Sequence, residues 1–318
     1  MSGEVETVLE RRRLRRQVGL WRGLAILAGV LVLIAFAAVR ANEAGVLGNT
    51  QIARVTVEGM ILDDRKRLKM LEKIARADNV KGVIVYINSP GGTTTGGEGL
   101  YKALRELSER KPVVAQFGTV AASAAYMAGL GTDRILAREN TITGSVGVIM
   151  QWPNVSGLLD KIGVRMNQLK SGELKAEPNP FEEMSPAVRQ RTMQMIEEGQ
   201  RWFVNLVERR RKIVASSVPG LLEGAVFSGR TAKDYKLIDA IGAEDEARAW
   251  MVKEKELPEG IRIVDWKPSS GFGFPGGNAS SWLAWMFGAE VGRLAGLAPE
   301  LASVGLDGML SVWQPPKK

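Results

Sequence analysis

The run Gly82-Val83-Ile84-Val85-Tyr86-Ile87 is apolar at nearly every position, the pattern of a strand covered on both faces. Upstream, Ile52-Ala53-Arg54-Val55-Thr56-Val57 also reads as a strand. Between the two, Leu68, Leu71, Ile74 and Ala75 recur at helical spacing behind Asp63 or Asp64 as a cap. The pattern continues with a helix from about Gly97 to Arg110, a strand over Pro112 to Phe117 and a helix beginning near Ser123. Strands are expected near Arg134-Ile135-Leu136, over Val146-Gly147-Val148-Ile149, and in a stretch ending at Lys170. Ser185-Pro186 places a cap and a first-turn proline at the start of a long helix reaching about Lys212. Its Val188, Ile196, Phe203, Leu206 and Val207 are most simply core or subunit-contact positions. This alternation of strands and helices predicts an α/β fold around a mostly parallel sheet.

A different pattern precedes it. Leu24 to Val39 are all apolar or small, bordered by Trp21-Arg22 and Arg40, and approach the length of a helix that crosses a bilayer. Arg11, Arg12, Arg13, Arg15, Arg16 and Arg22 precede the run, which places the N-terminus in the cytoplasm and the rest outside it. The competing reading is a cleaved leader, since Ala35-Phe36-Ala37 resembles a small-x-small site, but that site lies inside the apolar run. The chain is therefore divided into a basic tail (1–22), a membrane anchor (23–40), a linker (41–51), a globular domain (52–268) and a C-terminal stretch (269–318). The last begins rich in Gly, Ser and Pro, then carries Trp282, Leu283, Trp285, Met286 and Phe287. A partner subunit and a membrane surface both suit it.

Composition narrows the chemistry. The 318 residues are 45% apolar and 25% charged, and include no histidine and no cysteine. Ser-His-Asp and Cys-His catalysis are thereby excluded, together with the usual zinc ligands, and no metal or other cofactor is expected. Zero cysteine says little about redox compartment. Of the net charge of +8, the first 22 residues supply six positive and three negative groups, which anionic lipid explains better than nucleic acid.

Three segments carry candidate chemistry. Asn88-Ser89-Pro90-Gly91-Gly92 follows a buried-looking strand, and its glycines let backbone N–H groups approach a ligand. A phosphate loop is disfavoured because Gly97 is followed by Glu98 rather than by Lys and Ser/Thr, while a plain tight turn remains open. Ser123, among Ala121, Ala122, Ala124 and Ala125, sits at an expected helix start, where it either caps the helix or offers a hydroxyl. Lys170 in Leu169-Lys170-Ser171-Gly172 is either an exposed cation or a base. The second role needs burial to lower its pKa from about 10.4 by roughly 3 units.

Taken in order, Asn88-Ser89-Pro90-Gly91-Gly92, Ala121-Ala122-Ser123-Ala124-Ala125-Tyr126, Gly144-Ser145-Val146-Gly147 and Lys170-Ser171-Gly172-Glu173-Leu174-Lys175 resemble the successive motifs of bacterial signal peptide peptidase A in its short, single-repeat form. Phe227-Ser228-Gly229-Arg230-Thr231-Ala232 and Leu237-Ile238-Asp239-Ala240-Ile241-Gly242 are similar to that family too, so the likeness covers roughly residues 50 to 245. The resemblance implies a ClpP/crotonase-like fold with repeated ββα units and a Ser/Lys dyad. In it Ser123 is the nucleophile, Lys170 the general base and Ser145 the group that orients the lysine amine. Backbone N–H groups of Gly92, or of Gly91, and of Ala124 would form the oxyanion hole. Dyad partners can come from adjacent subunits, which implies a homo-oligomer acting on apolar, signal-peptide-like peptides at the membrane. Ala124 and Ala125 stand where the family usually has glycines, so a narrower pocket and an altered substrate preference are expected. Lys236 replaces a further glycine. Alternatives are a membrane protease for stomatin-like proteins, a hydratase of the same fold, and a non-catalytic oligomeric scaffold.

Overall fold

The computed structural model describes residues 20–31, 34 and 50–268, together with the backbone of 310–312. Two units are separated, one comprising residues 1–50 with Ala77–Asn79 and the other the rest of the chain. In the first, helix α1 covers residues 20–31, and Trp21, Leu24, Ile26, Leu27 and Leu31 are exposed on it. Among the described residues no helix is long and apolar enough to cross a membrane. The anchor expected over residues 23–40 lies partly outside them.

The second unit is built on a sheet ordered β7-β6-β4-β2-β1-β9, with β5 paired to β4 and β8 paired to β5. Its strands are β1 (Gln51–Glu58), β2 (Val80–Ser89), β4 (Val113–Ala122), β5 (Arg134–Ala137), β6 (Ile142–Gly144), β7 (Val226–Ser228), β8 (Ala240–Ile241) and β9 (Arg262–Trp266). All pairings are parallel except β6 with β7. The α/β expectation holds, and β2 shows why. Val83, Ile84, Val85 and Ile87 are fully buried because helices cover both faces of a central strand. On one face Ile52, Ile84, Val114 and Leu136 pack against Ala247 and Met251 of α8 (Glu244–Lys255). Helices α2 (Arg65–Arg76) and α3 (Thr94–Ser108) bury Leu71, Ile74, Leu100, Leu104 and Leu107. Each such aliphatic side chain contributes about 1.5–3 kcal/mol relative to exposure.

The caps follow from side-chain chemistry. Asp64 Oδ1 accepts the N–H groups of Lys66 and Arg67, which makes it, not Asp63, the cap of α2. Thr93 Oγ1 accepts Gly96 N–H and starts α3 three residues before the apolar pattern suggests. Ser185 caps α6 (Pro186–Arg211), which ends at Lys212 in a left-handed conformation and buries Val188, Phe203, Leu206 and Val207. Two expected strands are corrected. Residues 146–149 form no strand, and its place beside β4 is taken by Ile142–Gly144. The stretch before Lys170 is likewise irregular. Among the described residues no strand lies alongside it to bond.

Candidate active site

Three chain segments meet at the C-terminal end of the parallel strands, the usual place for ligand sites in such sheets. Ser89 at the end of β2 lies opposite Ala121 of β4, and Ala122 lies opposite Gly144 of β6. Strand β4 reaches both because it changes partner along its length. Val114–Phe117 pair with β5, and Val120–Ala122 pair with β6. Asn88 Oδ1 accepts the N–H groups of Thr119 and Val120 at the irregularity between them. Thr143 Oγ1 donates to the Ala121 carbonyl at 2.7 Å and ties β6 to the same corner.

The glycine turn is more than a bend. Gly91 has φ +125°, a conformation open to glycine, and leads into β3 (Gly91–Thr93). Ile61 N–H donates to the Gly91 carbonyl at 2.8 Å, and Thr93 N–H donates to the Ile61 carbonyl at 2.9 Å. A Cβ at Gly92 would stand 1.9 Å from the Ile61 carbonyl oxygen, so no side chain fits there. The two candidate oxyanion donors are also separated. Gly91 N–H is spent on Ser89 Oγ at 3.1 Å, whereas strand alternation turns Gly92 N–H to the edge away from Ile61. Ser89, buried and named in the sequence only as part of the turn motif, makes that distinction.

Ser123 occupies the turn between β4 and α4 (Ala124–Gly129), with φ 58° and ψ −120°. This is a sparsely populated region for a residue with a Cβ, and it is held by Ser123 N–H donating to the Gly144 carbonyl at 2.8 Å. A sharp strand-to-helix turn of this kind presents a side chain at the end of a sheet beside the N–H groups that start a helix. The capping alternative is not adopted, since Ser123 makes no side-chain cap bond. Ser145, also at positive φ, follows Gly144 and so lies beside Ser123 in the register of β4 and β6. Its N–H donates to the Ala225 carbonyl.

The Ala124 methyl, expected to narrow a nearby pocket, is fully buried. A Cβ on Gly97 would come within 2.9 Å of the Ala124 Cβ, so this methyl is taken up against α3, and Ala125 is also fully buried. From below, Tyr126 OH donates to the Leu237 carbonyl at 2.9 Å, and burial pushes the Tyr126 hydroxyl pKa up. Asp239 accepts from Ile135 N–H and from Arg211. The segment Leu237–Gly242 thus braces α4.

Lys170 lies elsewhere in its bonding. Its ammonium donates to Glu177 and Glu182 in an open cleft of about 760 Å³ that Met166, Leu169 and Val188 also line. Burial was expected to lower its pKa. The opposite direction is found, because bonds first to Glu177 and then to Glu182 favour the charged form. Reciprocally, Lys170 holds Glu182 down at about 2. The arm carrying Lys170 exposes Leu158, Ile162, Met166, Leu169, Leu174 and Phe181. Sequence reasoning missed both carboxylates, which follow Lys170 at no periodic spacing. Among the described residues no cluster of His, Cys, Asp and Glu is placed to hold a metal ion.

Against this geometry, the sequence pattern described as Peptidase family S49 matches residues 105–258, and that described as Clp protease matches residues 54–143. A protein named as a protease in Synechocystis sp. is 34% identical over 201 residues, 63% of this chain and 73% of that one. One named as signal peptide peptidase SppA in Enterococcus faecium is 32% identical over 249 residues, 74% of this chain and 71% of that one. Protease 4 of Haemophilus influenzae is 32% identical over 207 residues, and the aligned part spans 34% of its length and 62% of this chain. Among solved structures, a membrane-bound stomatin-specific protease aligns with a TM-score of 0.44 at 14% identity, covering 70% of this chain and all of that one. The α/β core agrees with the ClpP-like architecture of the Clp protease match.

Proposed function

The chain belongs to peptidase family S49, and from that premise we propose that it is a membrane-anchored serine endopeptidase working through Ser123 and Lys170. The observation that carries the reading is Ser123 held at positive φ in the β4–α4 turn, within a corner shared with Ser145. In this mechanism Ser123 Oγ attacks the scissile carbonyl while a neutral Lys170 amine takes its proton. The oxyanion is held by the N–H groups of Gly92 and Ala124, and the lysine returns its proton to the leaving amine. Ser145 orients the lysine. The substrates are released signal peptides or similar apolar segments. The groove beside Ser145, bordered by Val148, Ile149, Ile196 and Leu222, supports that preference.

Lys170 reaches Ser123 across an interface between copies of the chain. The apolar residues exposed on its arm suit burial in a homo-oligomer, and the two carboxylates hold the lysine charged until then. Residues 23–40 anchor the protein in the bacterial inner membrane with the N-terminus cytoplasmic, and the apolar side chains exposed on α1 support lipid contact.

A serine-directed fluorophosphonate tests the nucleophile. Intact mass and peptide mapping are expected to find one adduct, on the fragment containing Ser123. The adduct should be absent from Ser123→Ala and much slower to form in Lys170→Ala. Equal labelling of all three proteins would sink the reading.

The carboxylates supply a pH prediction. Lys170 is raised, so its ion pairs stabilise fully below about pH 10.4 and weaken as pH rises through the folded value. Glu182 is lowered, so its share is present above about pH 4.3 and is lost as pH falls toward about 2. Replacing both acids, Glu177→Gln with Glu182→Gln, is expected to move the ascending limb of the kcat/KM profile, on which Lys170 loses its proton, to lower pH. A limb that stays in place would refute the connection between this clamp and the base.

A further inference from the structure

Strand β10 (Leu310–Val312) runs antiparallel along β3, with Leu310 opposite Thr93, Ser311 opposite Gly92 and Val312 opposite Gly91. The two edges of β3 are not equivalent. One is taken by Ile61, which bonds the Gly91 carbonyl and Thr93 N–H, and Gly91 N–H is taken by Ser89. Alternation therefore leaves both main-chain groups of Gly92 pointing at the other edge, where β10 lies. In an antiparallel ladder two opposed residues whose groups face each other exchange both bonds, which sets the Ser311 carbonyl on Gly92 N–H and Ser311 N–H on the Gly92 carbonyl.

We propose that β10 is an internal occupant of the peptide-binding edge, lying along β3 as a substrate strand would and excluding substrate until it leaves. The inference rests on the reading that Gly92 N–H is an oxyanion donor. On that reading the Ser311 carbonyl sits where a scissile carbonyl is received. Recognition by strand addition uses main-chain groups, so a segment of the same chain and an unrelated extended peptide compete for the same bonds. Belonging to the same chain gives β10 an effective concentration that free peptide must exceed.

The test compares the full chain, a form ending at residue 309, and full-length Ser311→Pro, which lacks the N–H that the Gly92 carbonyl accepts. Hydrogen exchange is followed in the fragment covering residues 89–95, with all three forms carrying Ser123→Ala. Removing or blocking β10 is expected to speed exchange of one amide at least about tenfold, and an added peptide of residues 305–318 is expected to restore protection of the truncated form. In the active forms, KM for an apolar reporter peptide is expected to fall about tenfold without β10 while kcat stays level. Identical exchange in all three forms would overturn the proposal whatever their activity. Faster exchange without β10, in forms that hydrolyse nothing, would uphold the docked strand and refute the peptidase reading instead.

Discussion

Ser123→Ala is expected to lower kcat by about 10⁴-fold or more while the domain stays folded, because the attacking oxygen is lost and nothing else in the corner replaces it. The neighbouring substitution sharpens the prediction. Holding a residue with a Cβ at φ 58° and ψ −120° costs of order 1–3 kcal/mol, and Ser123→Ala keeps that Cβ. Ser123→Gly removes it, and the greater freedom of glycine in the unfolded chain returns about 0.4–1 kcal/mol of the gain. Ser123→Gly is therefore expected to be as inactive as Ser123→Ala yet more stable than wild type by up to about 2 kcal/mol, a rise of a few degrees in Tm. Hydrolysis assays and thermal melts on the three proteins check both halves. A Ser123→Gly protein that is less stable than wild type would show that the turn is not strained, and one that retains turnover would show that Ser123 is not the nucleophile.

Strain of this sort is invisible in composition, but its location was legible. An apolar strand running into Ala121-Ala122-Ser123-Ala124-Ala125 leaves one polar side chain at a strand-to-helix junction, and the structure has β4 ending at Ala122 and α4 starting at Ala124. The same holds for β1, β2 and α6, whose patterns are set by burial of their own residues. What periodicity does not carry is the choice of partner. Val146–Ile149 is the more apolar run, yet Ile142–Gly144 lies beside β4, because Thr143 bonds the Ala121 carbonyl and Gly144, at φ +89°, closes the turn that Ser123 needs. Val164 and Met166 alternate with polar neighbours as strand residues do, but among the described residues no strand lies alongside to accept their backbone. The charge state of Lys170 was not legible for a related reason. Its lysine chemistry was read from the family motif, while the carboxylates that fix its charge come from the loop that follows it.

Gly92→Ala is expected to do the most damage of any single methyl added at the site. The new Cβ would meet the Ile61 backbone at 1.9 Å from the carbonyl oxygen, 2.5 Å from the carbon and 2.6 Å from the nitrogen, and main chain cannot swing aside as a flexible side chain does. Either β3 separates from Ile61, losing two backbone hydrogen bonds in a buried setting, or both strands shift. Overpacking of this kind costs about 1–3 kcal/mol, and two broken bonds add about 1 kcal/mol each, so a loss of roughly 3–5 kcal/mol is expected in urea unfolding. In whatever protein remains folded, Gly92 N–H has moved, and removal of one oxyanion donor lowers kcat by about 10²- to 10³-fold. Gly99→Ala is the control on the same backbone, since its Cβ would meet nothing within 4 Å and it lies in α3, where alanine is favoured by about 1 kcal/mol. If Gly92→Ala unfolds at the wild-type urea concentration and turns over substrate at the wild-type rate, β3 is neither held by Ile61 nor the donor of the oxyanion hole. If stability falls while kcat per folded molecule is unchanged, the strand is structural and the oxyanion must be held by Ala124 with another donor.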